Sequence, residues 1–502
     1  MGLLDAPALS PKQAAKDYER VGYRAVSMRG KVGSNQSNGT DTSQTSRTRW
    51  VVRGDNGGIK LVFANFRLPS GSNEPTNPYT VSVKASIEDP SVSTGSPTGA
   101  ILIPVFFNGK RTGTMEPGAV LVSDEVFVNA PSGSVLWLRC CATVASGDRW
   151  VNHFAASSNI AANPDGGGAS EGAVANTDAT DSGTVSAGNV NAFVPVCIIG
   201  RPTAESRVPA VMIAGDSIAS ETGILYAGGR SYMTRACMNA GYSTIGLGEG
   251  GERFSHVVQQ ALYWKRMQLA TYSTHVLSNY GTNDIYSGGY SLAQMKTVAL
   301  SAWKLWHRLG LKVHQLTVLP RPGTSTDGYM TVAGQTIADA GKEAVRTGFN
   351  AWLLDTSASG AVAQSDGTLL GVIDPTVGYE VNSSGVPTIG GGYWKSAGAV
   401  VTSGTATGVT STVITDSGKA RGTNADVGLV LAILTATTGA GQSQTILSNT
   451  ATAWTLLGAL TTTPTGTVTY QVGPSYNYDG THPTGLFHAE RGDSLDVSSI
   501  DL

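Results

Sequence analysis

The chain has 502 residues, with 34 Lys and Arg against 36 Asp and Glu, a formal net charge of -2, and only 14% charged residues. That length suggests roughly two to four domains, and the charge balance excludes the basic footprint of a nucleic-acid binder. The 63 glycines and long Ser, Thr and Ala stretches poor in helix formers point to β-structure and loop beside an α/β part.

Residues 1–20 read as a polar helical arm. The opening "MGLLDAPALSPKQ" has no basic segment followed by an apolar one, so synthesis in a cytoplasm without a secretory signal is expected. "GSNQSNGTDTSQTSRT", 33–48, is a loop by composition. From Arg49 to Val144, short runs such as "GIKLVFANFRL", "YTVSVKASIE" and "SVLWLRCCATV" alternate with Gly, Pro, Asn and Ser clusters, which predicts a jelly-roll-like β-sandwich. The cysteines at 140, 141, 197 and 237 lack metal spacing and are expected to be reduced and buried. The low-complexity stretch 163–192 is predicted as a surface loop or linker.

After "VPVCIIGRP" apolar strands alternate with helical patterns, as βαβ units require. "AVMIAG", "YSTIGLG", "THVLSNYG", "KVHQLTVLP" and "FNAWLLD" predict five parallel strands, with helices between them, one ending at Leu309-Gly310. Residues 398–472, rich in Thr, Val, Gly and Ser, predict a small all-β insertion. Its apolar run "VGLVLAILTA" is about half a bilayer span. The expected division is therefore an arm 1–20, a β-sandwich 21–200, an α/β domain 208–397 and 473–502, and the insertion 398–472.

Ligands of an open parallel sheet sit beyond the carboxyl ends of its strands. There the chain places "GDS" at 215–217, "GLGEGG" at 246–251, "NYGTND" at 279–284 and, in the last loop, "DGTHP" at 479–483. Ser217 needs a base to become a nucleophile, and His482 can serve. Asp479, three residues earlier, can accept the imidazole Nδ1 proton and leave Nε2 free. The backbone N–H groups of Ser217 and Gly251 and the Asn283 side-chain amide can stabilise an oxyanion. Gly250 is an alternative to Gly251. Asp216 is expected to organise the turn, and Arg253, Tyr280 and Asp284, beside these residues, are candidates to line the substrate pocket. "GLGEGG" also matches G-x-G-x-x-G, but the acidic ribose partner is missing because the next strand ends in Asn279. No metal or nucleotide motif is present, so no cofactor is expected.

The four segments "GDSI", "GEGGERF", "GTND" and "DGTHP" resemble, in order, the sequence blocks of the SGNH (GDSL) hydrolase family. The resemblance covers about 208–397 and 473–502. It implies a flavodoxin-like three-layer α/β/α fold, with Ser217 as nucleophile and first oxyanion donor, Gly251 and Asn283 as further donors, and Asp479 with His482 completing a triad. "FFNGKRTGTMEPGAVLVSDEV" resembles the accessory sandwich of some members, and "TTGAGQSQTILSNTATAWTL" a β-module of phage tail proteins. Together these imply an esterase that removes O-acetyl groups from bacterial surface polysaccharide, as a tailspike or tail-associated component in the virion or outside the cell. Its expected partners are the acetylated polysaccharide, tail components and, by family analogy, two further copies of the chain, with neither nucleic acid nor membrane. The alternatives are a glycan-binding tail protein without turnover and a lipase or thioesterase of the same fold.

Overall fold

The computed structural model describes residues 22–71, 74–89, 101–156, 171–186, 190–220, 231–259 and 263–501. The arm expected over 1–20 lies outside them, as does part of the expected linker.

The centre is a parallel sheet of six strands: β1 (Gly30–Lys31), β2 (Ala210–Ala214), β3 (Ser243–Gly246), β4 (His275–Ser278), β5 (Lys312–Leu316) and β6 (Gly371–Ile373), in the order β1-β3-β2-β4-β5-β6. Among the described residues eight α-helices accompany it: α1 (Tyr232–Asn239), α2 (Phe254–Val258), α3 (Trp264–Ala270), α4 (Thr282–Tyr286), α5 (Leu292–Arg308), α6 (Ala340–Leu354), α7 (Ala361–Gln364) and α8 (Gly485–Ser494). Each apolar strand feeds two cores because successive side chains point to opposite faces. Val211 and Ile213 join Leu277, Leu316, Tyr232 and Phe487 under α1 and α8. Met212 and Ala214 join Val276, Val313, Phe254, Trp303 and Phe349 under α2, α5 and α6. Burying one such aliphatic side chain stabilises the fold by about 1.5–3 kcal/mol, so a charge at Met212 would be expected to break the layer.

The strand set differs from the expectation at both edges. "FNAWLLD" is not the fifth strand: residues 349–354 form the end of α6. Asp339 caps that helix by accepting from Lys342 N at 3.0 Å, and Phe349, Trp352 and Leu353, spaced three and four apart, turn one face inward. Trp352 stacks on Trp303 of α5 at 5.7 Å. The short β6 takes the place next to β5, and β1 adds a sixth strand from the N-terminal region. Two short helices, α2 and α3, lie between β3 and β4, while α5 carries a Ser291–Gln294 capping box and stops at Gly310, φ +80°.

Among the described residues the N-terminal region holds four antiparallel sheets, of which a four-stranded and a six-stranded one are the larger pair. In one, the strand Ile59–Ala64 alternates between cores: Ile59, Leu61 and Phe63 meet the second sheet, whereas Val62 and Ala64 face the α/β core beside Val257 and Met267. Burial on both faces explains its unbroken apolar run, and it makes one continuous core across the boundary expected near residue 200. The second sheet corrects the loop expected over 33–48, since Ser43–Val51 is one of its strands. Its polar residues are buried because Arg47 and Arg139 both bind Glu88, and Arg139 also donates to Ala179 O and Gly183 O of the segment covering that face. That covering segment falls inside the expected linker, and Gly172–Ala175 within it is a further strand. The four cysteines are free and buried.

Residues 402–473 form a seven-stranded antiparallel sheet with its own core of Leu431, Ile433, Trp454 and Tyr470. Along Val430–Thr435 the alternate side chains Val430 and Ala432 leave that core and pack on Met330 and Tyr478. The apolar run is thus a strand covered on both faces. Among the described residues no helix is long and apolar enough to cross a membrane.

Candidate active site

β2 ends at Ala214, and the next residues turn sharply. A β-carbon on Gly215 would lie 1.6 Å from Asn279 Oδ1, so only glycine fits between the two central strands there. Asp216 is buried. Its Oδ1 accepts from Ile218 N and from Asn279 Nδ2, both at 3.0 Å, and its own N–H donates to Asn279 Oδ1 at 3.3 Å. Burial pushes the Asp216 carboxyl pKa up, against these bonds. Asp216 therefore builds the turn, and half-buried Ser217 stands at its tip.

The loop before α8 brings the other two groups. Asp479 Oδ1 accepts from Thr481 N at 2.8 Å and from His482 N at 2.7 Å, which leaves Oδ2 to meet His482 Nδ1 at 2.7 Å. Asn477 Oδ1 in turn accepts from Asp479 N and Gly480 N. His482 Nε2 lies 2.7 Å from Ser217 Oγ, and Tyr478 stacks on the imidazole at 6.0 Å. A carboxylate on Nδ1 fixes the neutral tautomer with its proton there, so Nε2 accepts from the serine hydroxyl. Burial acts to raise the Asp479 pKa, but the His482 bond and charge outweigh it and hold the carboxyl below its ordinary value. For His482, burial lowers and Asp479 raises, and the net direction is upward.

The second segment is strapped to the first. Glu249 N donates to Gly215 O at 2.9 Å, and Gly250 O accepts from Gly71 N at 3.0 Å and Ser70 Oγ at 3.2 Å. Asn283, in the first turn of α4, donates one amide hydrogen to Glu252 O at 3.1 Å. Among the described residues no acceptor meets the other Asn283 amide hydrogen or the N–H groups of Ser217, Gly250 and Gly251. Donors on three segments are thus left unengaged among the described residues, with both glycines still eligible.

Two expected pocket residues are turned elsewhere. Tyr280 is fully buried among Phe254 and Trp306, and its hydroxyl donates to Glu252 Oε2 at 2.5 Å. Asp284 is also fully buried and accepts from Phe254 N at 3.0 Å and Ser255 N at 3.3 Å, capping α2. Burial pushes its pKa up to about 7, against those bonds and the nearby Arg253 charge. Neither lines a substrate cleft. Arg253 precedes α2, is half-buried, and meets no acceptor among the described residues. Sequence reasoning missed Asn279 and Asn477, which hold the turn before Ser217 and the loop of Asp479. Only their places at a strand end or beside the last segment could have drawn attention to them.

No family model and no curated protein matches the chain. Solved structures do. A putative acylhydrolase from Bacteroides fragilis is 19% identical over 39% of this chain and 82% of its own, TM-score 0.25. A putative lipolytic protein of the G-D-S-L family from Desulfitobacterium hafniense is 13% identical over 36% and 85%, TM-score 0.25. A family two carbohydrate esterase from Clostridium thermocellum is 11% identical over 71% and 91%, TM-score 0.27.

Proposed function

We propose that the chain is a serine esterase of the SGNH type that removes O-acetyl groups from a bacterial surface polysaccharide. The observation that carries this reading is the relay Ser217 Oγ, His482 Nε2, His482 Nδ1, Asp479 Oδ2, each gap 2.7 Å, at the carboxyl edge of a parallel sheet. In the mechanism, His482 Nε2 takes the hydroxyl proton as Ser217 Oγ attacks the acetyl carbonyl. The N–H groups of Ser217, Gly251 and Asn283 hold the oxyanion, and Asp479 stabilises the imidazolium. Collapse breaks the ester C–O bond, and His482 returns the proton to the sugar oxygen. Water, deprotonated by His482, then cleaves the acetyl-enzyme and releases acetate.

The polysaccharide and the tail location are parts of the same proposal. Supporting them are the N-terminal antiparallel sheets, read as a jelly-roll-like accessory sandwich, and the seven-stranded insertion, which contains the phage-tail-like segment at 437–456. Both provide surface for a long substrate and for assembly with tail components or further copies. The test is acetate release from O-acetylated capsule or O-antigen by the wild type and Ser217→Ala. The variant is expected to fall by about 10³-fold or more. Equal release overturns the mechanism, and faster cleavage of an aryl octanoate than of an aryl acetate overturns the acetyl preference.

A further inference from the structure

The deeply buried arginines of the described residues are each matched by glutamate: Arg29 by Glu171, Arg47 and Arg139 by Glu88, Arg266 by Glu74, Glu249 and Glu252, and Arg346 by Glu343 and Glu380. Arg321 is different. It is only half-buried, and no acceptor among the described residues reaches its guanidinium, of which Nη1 is closed off from solvent while Nε and Nη2 are not. Burial disfavours its charged form. A guanidinium stays charged in proteins, so an arginine held this way has donors to offer an incoming anion.

Two contacts fix its place. The guanidinium carbon lies 4.8 Å from the ring centre of Tyr286, which is three residues beyond Asn283 in α4. The residues that follow Arg321 press on the loop of Asp479 and His482: a β-carbon on Gly480, φ +85°, would come within 2.8 Å of Pro322 O and 2.9 Å of Gly323 O. Arg321 therefore lies between the Asn283 side and the His482 side of the cleft. Its charge also acts on Asp216, Asp479 and His482.

We infer that Arg321 binds a carboxylate carried by the substrate, on the sugar bearing the acetyl ester or the one beside it, so that the site selects acidic saccharides over neutral ones. This rests on the esterase reading of Ser217. A carboxylate matches the planar fork of a guanidinium, which can bind both its oxygens at once. Glutamate already plays that part at the five buried arginines.

The test compares kcat/KM for an O-acetylated methyl glucuronoside and the corresponding glucoside, which differ only in the carboxylate. The wild type is expected to favour the acid by about 30-fold, less at high salt. Arg321→Gln should bring that ratio near unity, and Arg321→Lys should keep part of it. A purely structural role for Arg321 would lower both substrates together and leave the ratio unchanged, which overturns the inference, as does a wild type with no preference. Calorimetric binding of the acidic saccharide to Ser217→Ala, with and without Arg321→Gln, reads Arg321 without turnover. Binding lost in the double variant while the parent releases no acetate would fail the esterase reading alone. Turnover without acid preference, or equal binding by both variants, fails Arg321 alone.

Discussion

Asn279 clamps Asp216 from both sides, donating to its carboxylate at 3.0 Å and accepting from its backbone N–H at 3.3 Å. The pair joins the ends of β4 and β2, and the turn they hold presents Ser217 to His482. Asn279→Ala removes both bonds and leaves buried Asp216 short of a donor, a cost of about 1–3 kcal/mol in stability. Because the nucleophile shifts with the turn, kcat on an aryl acetate should fall at least tenfold, with KM little changed. A variant with wild-type kcat would mean that the bond from Ile218 holds the turn alone.

The acid limb of the pH profile follows from His482. It must be neutral to accept the serine proton. Burial would lower its pKa, but the Asp479 bond and charge prevail and leave it raised, so kcat/KM should decline as pH falls through a value above the ordinary 6.5. Asp479→Asn removes that bond and charge and leaves burial opposed only by the charge of Asp216. The limb should then move to lower pH while kcat drops by about 10³- to 10⁴-fold. Profiles from about pH 5 to about pH 9 on an aryl acetate check both shifts, and a limb that stays in place removes Asp479 from the relay.

Acid should destabilise the fold through other histidines. His153 accepts from Gly33 N on Nδ1 at 3.2 Å and has Nε2 3.1 Å from Ala64 O, an arrangement that suits only the neutral ring. His488 likewise accepts from Tyr232 N on Nδ1 at 3.0 Å. Burial lowers their pKa values to about 4 and about 3. The unfolded chain takes up these protons near 6.5, so stability is complete above that pH and is lost as pH falls toward 4, by up to roughly 3 kcal/mol for His153. Melting temperatures that stay level from about pH 7.5 to about pH 4.5 would contradict this.

What was legible in the sequence is what depends on residue type at an element's end. Ser217 stands just past a strand end and Asp479 and His482 in the last loop, and the fold brings the three within hydrogen-bond distance. Orientation was not legible. Tyr280 and Asp284 adjoin the site in sequence, yet a helix start at residue 282 turns both away from the cleft, one into an aromatic core and the other onto α2. Composition misled at Ser43–Thr48, where Ser, Thr and Arg form a strand because Glu88 and a covering segment satisfy them. At 349–354 an apolar run suited either period, and only packing against Trp303 decides for helix.

The insertion also bears on the site. Val430 and Ala432 pack on Tyr478, whose carbonyl accepts from Ser443 Oγ at 2.6 Å and whose ring stacks on His482. Ser443→Ala removes that bond without touching the relay and should loosen the loop that carries Asp479 and His482. A roughly three- to tenfold fall in kcat on a small aryl acetate is expected, with KM nearly unchanged, since the effect acts on geometry rather than on binding. An unchanged kcat on the aryl acetate together with a raised KM for polysaccharide would instead confine the insertion to holding glycan.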